Sequence, residues 1–147
     1  MNDQSTVPTV RYFDEISEGM SGEFSKTITE ADVNTFAEVS GDKNPIHVDV
    51  GFAAASIFGQ RISHGMLVAG LISAVFGYHF PGPGWIYVNQ SLRFKAPVFL
   101  GHTVTAAVTA TKLIPEKQMI EFDTVVSVGD KVVIDGTALL MSPKRPT

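Results

Sequence analysis

Residues 65–79 read Gly65-Met66-Leu67-Val68-Ala69-Gly70-Leu71-Ile72-Ser73-Ala74-Val75-Phe76-Gly77-Tyr78-His79. At helical spacing Met66, Leu67, Val68, Leu71, Ile72, Val75 and Phe76 cover nearly the whole circumference, and a helix that is apolar all round is a buried one. Pro81-Gly82-Pro83-Gly84 then breaks the chain. Beyond residue 84 the period changes to two. Ile86, Val88, Leu92 and Phe94 alternate, with Gln90 as a polar interruption. Val104, Ala106, Val108 and Ala110 alternate, as do Ile120, Phe122, Thr124, Val126 and Val128, and then Val132, Ile134, Ala138 and Leu140. Gly129-Asp130 suits a tight hairpin. One buried helix followed by four strands in a row predicts an α+β domain with an antiparallel sheet on a central helix. Such a sheet keeps an edge that needs cover, and pairing two copies in a C2 dimer supplies it.

The upstream half is less regular. Gly22 to Thr27 reads as a weaker strand. Thr29 and Asp32 form a capping-box pattern, Ile28 and Val33 sit where a hydrophobic staple belongs, and Gly41 is a helix stop, so a helix is expected at about 30–40. Val33, Phe36, Ala37 and Ser40 share one face of it. Residues 42–62 read as irregular, with a short helical turn at Ala53 to Ser56. Pro45 biases Asn44 towards an extended backbone.

The chain has 147 residues, 44% hydrophobic and 18% charged, and no cysteine. That length fits one domain able to build its own core. Residues 10–142 are expected to form it, with flexible ends at 1–9 and 143–147. The lack of cysteine removes disulfides, thiolate metal sites and cysteine nucleophiles. A net charge of -4 without any Lys/Arg run argues against a nucleic-acid partner. The first ten residues carry no secretory pattern, and Met66 to Phe76 is too short to span a bilayer, which takes about 20 residues. A soluble, cytoplasmic protein is expected, with no membrane partner.

The chemistry concentrates in two places. Residues 36–49, Phe-Ala-Glu-Val-Ser-Gly-Asp-Lys-Asn-Pro-Ile-His-Val-Asp, end a helix and then present Asp42, Asn44, Pro45 and His47 close together. Pro45 stiffens the loop and lowers the entropic cost of holding Asp42 beside His47. A carboxylate beside an imidazole can grip one water and exchange protons with it, which suits a reaction adding or removing water. Ser63-His64-Gly65-Met66 stands at the entrance of the apolar helix. The first N–H groups of a helix lack internal partners and carry the positive end of its dipole. Gly65 there would let a carbonyl oxygen approach the backbone, an oxyanion hole for a thioester.

Ser40-Gly41-Asp42-Lys43-Asn44-Pro45-Ile46-His47 resembles the hydratase 2 motif of the MaoC-like (R)-specific enoyl-CoA hydratases. Ser63-His64-Gly65-Met66 is similar to that family's second landmark, in which Ala or Val more often precedes His-Gly. Pro81-Gly82-Pro83-Gly84, Ile86-Tyr87 and Ser91-Leu92-Arg93-Phe94 resemble its short bacterial members, which feed polyhydroxyalkanoate synthesis. The resemblance implies a single-domain hot-dog fold, a sheet wrapped around a long central helix, acting as a homodimer. It implies reversible syn-hydration of trans-2-enoyl-CoA to (R)-3-hydroxyacyl-CoA. Asp42 and His47 would be the catalytic pair, Gly65 N–H the oxyanion donor, Asn44 a loop-ordering residue and Ser73 a support for the pair. No redox or metal cofactor is implied; the CoA thioester is substrate.

Other readings remain. His64 reads as a structural hydrogen-bonding residue rather than a second base, and His79 and His102 as helix-end and turn residues. Asp42, His47 and Asp49 could imitate a two-carboxylate, one-histidine metal site, but nothing else in the chain completes its ligand shell. Gln90 could line an acyl tunnel or face a dimer seam. Arg61, Arg93, Lys95, Lys144 and Arg145 could meet CoA phosphates or be solvated surface. Hot-dog thioesterases and carrier-protein dehydratases often place an acid on the central helix, and residues 65–80 contain none. A non-enzymatic acyl-thioester binding module would keep the tunnel and use Asp42 and His47 only for structure.

Overall fold

A computed structural model describes residues 7–147. Its sheet strands are β1 (Ser21–Thr27), β2 (Ile86–Gln90), β3 (Arg93–Phe94), β4 (Thr103–Ile114), β5 (Met119–Val128) and β6 (Lys131–Met141). Its α-helices are α1 (Glu30–Ser40), α2 (Pro45–Val48), α3 (Val50–Ala54) and α4 (Gly65–Ala74). A wider π-turn, Val75–His79, continues α4. Phe80 N–H bonds to the Val75 carbonyl at 2.7 Å, and Pro81, lacking an N–H, ends the run. The helical rod therefore extends over the expected Gly65–His79.

All strand pairs are antiparallel, in the order β1-β4-β5-β6-β2, with β3 on β6. The sheet wraps α4, the hot-dog arrangement. Period-two alternation holds where the sheet covers the helix. Val104, Ala106, Val108 and Ala110 of β4 and Ile120, Phe122, Thr124 and Val126 of β5 are buried. They face Val68, Leu71, Ile72, Val75 and Phe76 within one apolar cluster. The Phe76 and Phe122 rings meet edge to face, 5.0 Å apart. On β6 the alternation slips. A bulge opposite Val126 and Ser127 inserts Val133, so Val133 and Ile134 are both buried while Val132 is not.

Two expectations are corrected here. α4 is not buried all round: Met66, Gly70, Ser73 and Gly77 face outward, with Met66 58% exposed. Of the apolar residues at 86–94, Leu92 packs partly buried against the core, but Ile86, Val88 and Phe94 do not enter it. Ile86 and Val88 are exposed because β2 stands at the sheet edge, paired to β6 on one side alone, and Phe94 is exposed on β3. The two edges differ in chemistry. β1 exposes Ser21, Glu23, Ser25 and Thr27, whereas β2 exposes Ile86, Tyr87 and Val88.

α1 forms as its caps dictate. Thr29 Oγ1 accepts from Asp32 N–H at 3.1 Å, and Asp32 Oδ2 accepts from Thr29 N–H at 3.0 Å. Ile28 and Val33 are both fully buried, and Gly41 closes the helix at φ 82°, a left-handed cap. Val33 and Ala37 carry the buried face; Ser40 is exposed. Residues 42–62 are more ordered than expected, holding α2 and α3. Residues 143–147 have no regular structure, although Arg145 pairs with Asp14 at 2.6 Å and lies over the Tyr12 ring. The first six residues of the expected N-terminal arm lie outside the described residues. No described helix is long and apolar enough to cross a membrane.

Candidate active site

The Gly41 cap ends α1 and turns the chain into Asp42. Asp42 N–H donates to Ser40 Oγ at 3.0 Å, and Asp42 Oδ1 accepts Asn44 N–H at 3.2 Å. Asn44 Oδ1 accepts Ile46 N–H at 3.2 Å and so caps α2, with Pro45 in its first turn. This four-residue helix was missed because Asn-Pro reads as a turn, yet Asn before a proline at the first helical position is also a helix start. α2 aims His47 inward, leaving it 8% exposed. Its Nδ1 lies 2.8 Å from the Ile62 carbonyl. A carbonyl only accepts, so Nδ1 carries the proton and Nε2 keeps a lone pair. Burial pushes the His47 imidazole below its ordinary value of 6.5; the neighbouring His64 adds to this, and the Ile62 bond and Asp42 oppose it.

Arg61 braces this frame. Its Nε donates to the His47 carbonyl at 2.6 Å, Nη1 to Glu30 Oε2 at 2.6 Å and Nη2 to Asn34 Oδ1 at 2.9 Å. One guanidinium thereby ties α2 to α1. Arg93 and Lys95 both pair with Asp135, and Arg145 with Asp14.

Asp42, His47, His64 and Gly65 line one hollow of about 510 Å³, walled by Phe58, Met66, Phe94 and Val98. α4 opens into it with no side-chain cap on its terminus. Ser63 Oγ donates to the His64 carbonyl at 3.1 Å and does not cap the helix. A Cβ on Gly65 would lie 2.6 Å from the Phe94 ring, so a larger residue here must displace that exposed ring. Phe58, Phe94 and Val98 were not foreseen as walls, since their apolar character carries no chemical signal.

Ser73 lies elsewhere. It is exposed on α4 and lines a second hollow of about 380 Å³ with Tyr87, Gln90 and Leu92. Nine residues separate it from His64 along the rod. Within one chain the structure does not bring Ser73 to the Asp42/His47 hollow. Met66 borders both hollows. Gln90 lines the second one and donates to buried Thr124 Oγ1 at 2.9 Å. Burial pushes the neighbouring Tyr87 phenol up to about 12.

The three groups that gather are Asp42, His47 and His64, not Asp49, with one ligand-type atom from each within 4.8 Å of the others. Asp49 instead caps α3, accepting Phe52 N–H at 2.8 Å. The His47 and His64 rings lie 4.0 Å apart, tilted by 31°. His47 Nδ1 and His64 Nε2 are each engaged by a backbone carbonyl, which leaves one ring nitrogen free on each histidine.

The MaoC-like domain pattern matches residues 13–134. The chain belongs to the MaoC-like family. A MaoC-like relative, the (R)-specific enoyl-CoA hydratase of Rhodospirillum rubrum, is 54% identical over 136 residues, covering 92% of this chain and 94% of its own. The 3-hydroxybutyryl-CoA dehydratase of Methylorubrum extorquens is 47% identical, covering 92% and 87%. Among solved MaoC-like structures, the unliganded R-hydratase PhaJ1 of Pseudomonas aeruginosa superposes with a TM-score of 0.87 at 40% identity, covering 91% of this chain and 86% of that one.

Proposed function

We propose that this MaoC-like chain is an (R)-specific enoyl-CoA hydratase, a hydro-lyase that adds water reversibly to trans-2-enoyl-CoA. The observation that carries it is the convergence of Asp42, His47 and the uncapped start of α4 at Gly65 on one hollow. Conjugation makes C3 of an enoyl thioester electrophilic, and attack there sends charge to the thioester oxygen. That oxygen lies at the Gly65 end of α4, where free N–H groups and the helix dipole stabilise it. Such a donor is worth roughly 3–4 kcal/mol.

A water between Asp42 and His47 donates one hydrogen to the carboxylate and the other to His47 Nε2, leaving its lone pairs for C3. His47 takes a proton as the C3–O bond forms, then returns it to C2 from the same face. The water has then been added whole, with syn geometry. Dehydration runs the same steps backwards. Neutral, partly desolvated His47 suits this, because it starts as an acceptor and becomes a donor only within the step. The reaction moves no electrons, and the pair activates water without a metal or redox cofactor.

The working unit is a homodimer in this reading. The apolar outer edge of β2 and the open side of α4 fit a second copy, whereas polar β1 suits solvent. The protein works in the cytoplasm on CoA thioesters made and consumed there.

The test is to mix purified protein with short trans-2-enoyl-CoA substrates, follow the loss of conjugated thioester absorbance and resolve the product on a chiral column. An (R)-3-hydroxyacyl product abolished by Asp42→Ala is expected. Release of free CoA would identify a thioesterase instead. No turnover across several chain lengths, with ligand binding that survives Asp42→Ala, would leave a binding module.

A further inference from the structure

His64 performs no chemical step in this scheme, yet it is 1% exposed and touches every part of the site. Its Nε2 lies 2.9 Å from the Asp42 carbonyl. Because a carbonyl only accepts, Nε2 must carry the hydrogen. Nδ1 is then a bare acceptor, and it is buried without a partner. The Asp42 bond therefore sets His64 in the Nε2–H tautomer and leaves Nδ1 facing no donor.

Its placement gives it a different task. The ring is held between Phe36, 4.8 Å away, and His47, 4.0 Å away. Asp42 itself is an exposed residue on a loop, and its other hydrogen bonds go to Ser40 and Asn44 of the same loop. The His64 bond links that loop to the start of α4. His64 is also the residue immediately before Gly65, so one residue connects the Asp42 backbone, the His47 ring and the start of α4.

We propose that His64 is a positioning residue: an imidazole that fixes the Asp42 backbone through Nε2–H and packs its ring against His47, setting the spacing in which one water is gripped. This rests on the hydratase reading of Asp42 and His47. The charged and titratable groups facing His47 are Asp42 from the loop, His64 from α4, and Lys95 on the far wall of the hollow; Arg61 contacts its backbone with a guanidinium already held by Glu30 and Asn34.

The experiment has two arms. In the wild-type protein without substrate, imidazole nitrogen NMR should show His64 in the Nε2–H tautomer. A His64 that carries its hydrogen on Nδ1 overturns the proposal whatever the activity proves to be. In the second arm, His64→Phe keeps the ring and removes the donor, and His64→Gln restores an N–H within reach of the Asp42 carbonyl. His64→Phe should lose on the order of 100-fold in kcat with little change in KM, the size expected for a misplaced catalytic group. His64→Gln should recover most of kcat. Wild-type kcat in His64→Phe, or equal losses in both variants that follow only the folded fraction, overturns the proposal. If neither variant folds, the wild-type spectrum decides. A wild-type protein that turns over no enoyl thioester counts against the hydratase reading and leaves the spectroscopic arm standing.

Discussion

Replacing Gly65 by alanine separates two effects that meet at one atom. The added methyl would lie 2.6 and 2.7 Å from two ring carbons of Phe94. Ordinary carbon contacts are about 3.5–4.0 Å, so the ring must withdraw by roughly 1 Å. Phe94 is 53% exposed on a two-residue strand, so it can swing outward. The stability cost should fall at the low end of overpacking, about 1 kcal/mol, a Tm loss of about 2–4 °C for a chain this long. The catalytic cost should be larger. On the proposed reading the methyl stands over the helix terminus that receives the thioester oxygen, and losing such a donor removes roughly 2.7–4 kcal/mol, a 100- to 1,000-fold fall in kcat. Steady-state kinetics on an enoyl-CoA and a thermal melt give both numbers. The double variant Gly65→Ala/Phe94→Ala should regain the lost packing tolerance and stay slow. A Gly65→Ala enzyme within threefold of wild-type kcat would show that the oxygen binds elsewhere. Full rescue by Phe94→Ala would show that the methyl acted through the wall and not on the substrate.

Asp42→Asn and His47→Gln should each lower kcat by about 100- to 10,000-fold with KM nearly unchanged, because both act in the transition state; a raised KM at constant kcat refutes the roles assigned. The lowered His47 value makes stability fall with acid: the unfolded chain binds this proton more readily, so stabilisation is full above about pH 6.5 and declines as pH drops below it. Melts against pH should show a shallower decline in His47→Gln than in wild type. Arg61→Ala should destabilise the fold by about 1–3 kcal/mol in a denaturant titration by leaving the His47 carbonyl unpaired, whereas Glu30→Ala should cost well under 1 kcal/mol because Glu30 is largely exposed. Val88→Lys, on the unpaired edge of β2, should turn a two-chain sedimentation mass into a one-chain mass; a wild-type mass of one chain refutes the dimer.

The sequence made the hot-dog core legible because its two periods are pure. Residues 65–79 carry the helical stripe, and β4 and β5 alternate without interruption where both are covered. The reading failed where covering is incomplete. Ile86, Val88 and Phe94 look like core residues, and alternation alone cannot tell a strand buried by its own chain from one left at an edge. The same ambiguity hid the open side of α4, since Gly70, Ser73 and Gly77 interrupt the stripe only with small residues. Val133 escaped because a bulge shifts register by one, and a two-residue period has no memory of which face it began on.

At the site, local chemistry was legible and convergence was not. Gly41, Asp42, Asn44, Pro45 and His47 lie within seven residues, so a stiff loop presenting a carboxylate and an imidazole could be read directly. Spacing places Ser73 along the helix, and within one chain its side of the helix faces the second hollow. His64 shows the opposite. Its sequence context marks it as structural, and it is, yet that structure is the site itself. A helix that begins beside a catalytic loop needs one residue to fix both, and a buried imidazole suits this because its two nitrogens differ. One nitrogen donates to the loop, and the ring packs against Phe36 and His47. A lysine or arginine at that point would bring a charge that captures Asp42, and an aliphatic residue would bring no donor. On the proposed reading, the spacing of the Asp42/His47 pair thus depends on a second histidine that joins the loop to the helix.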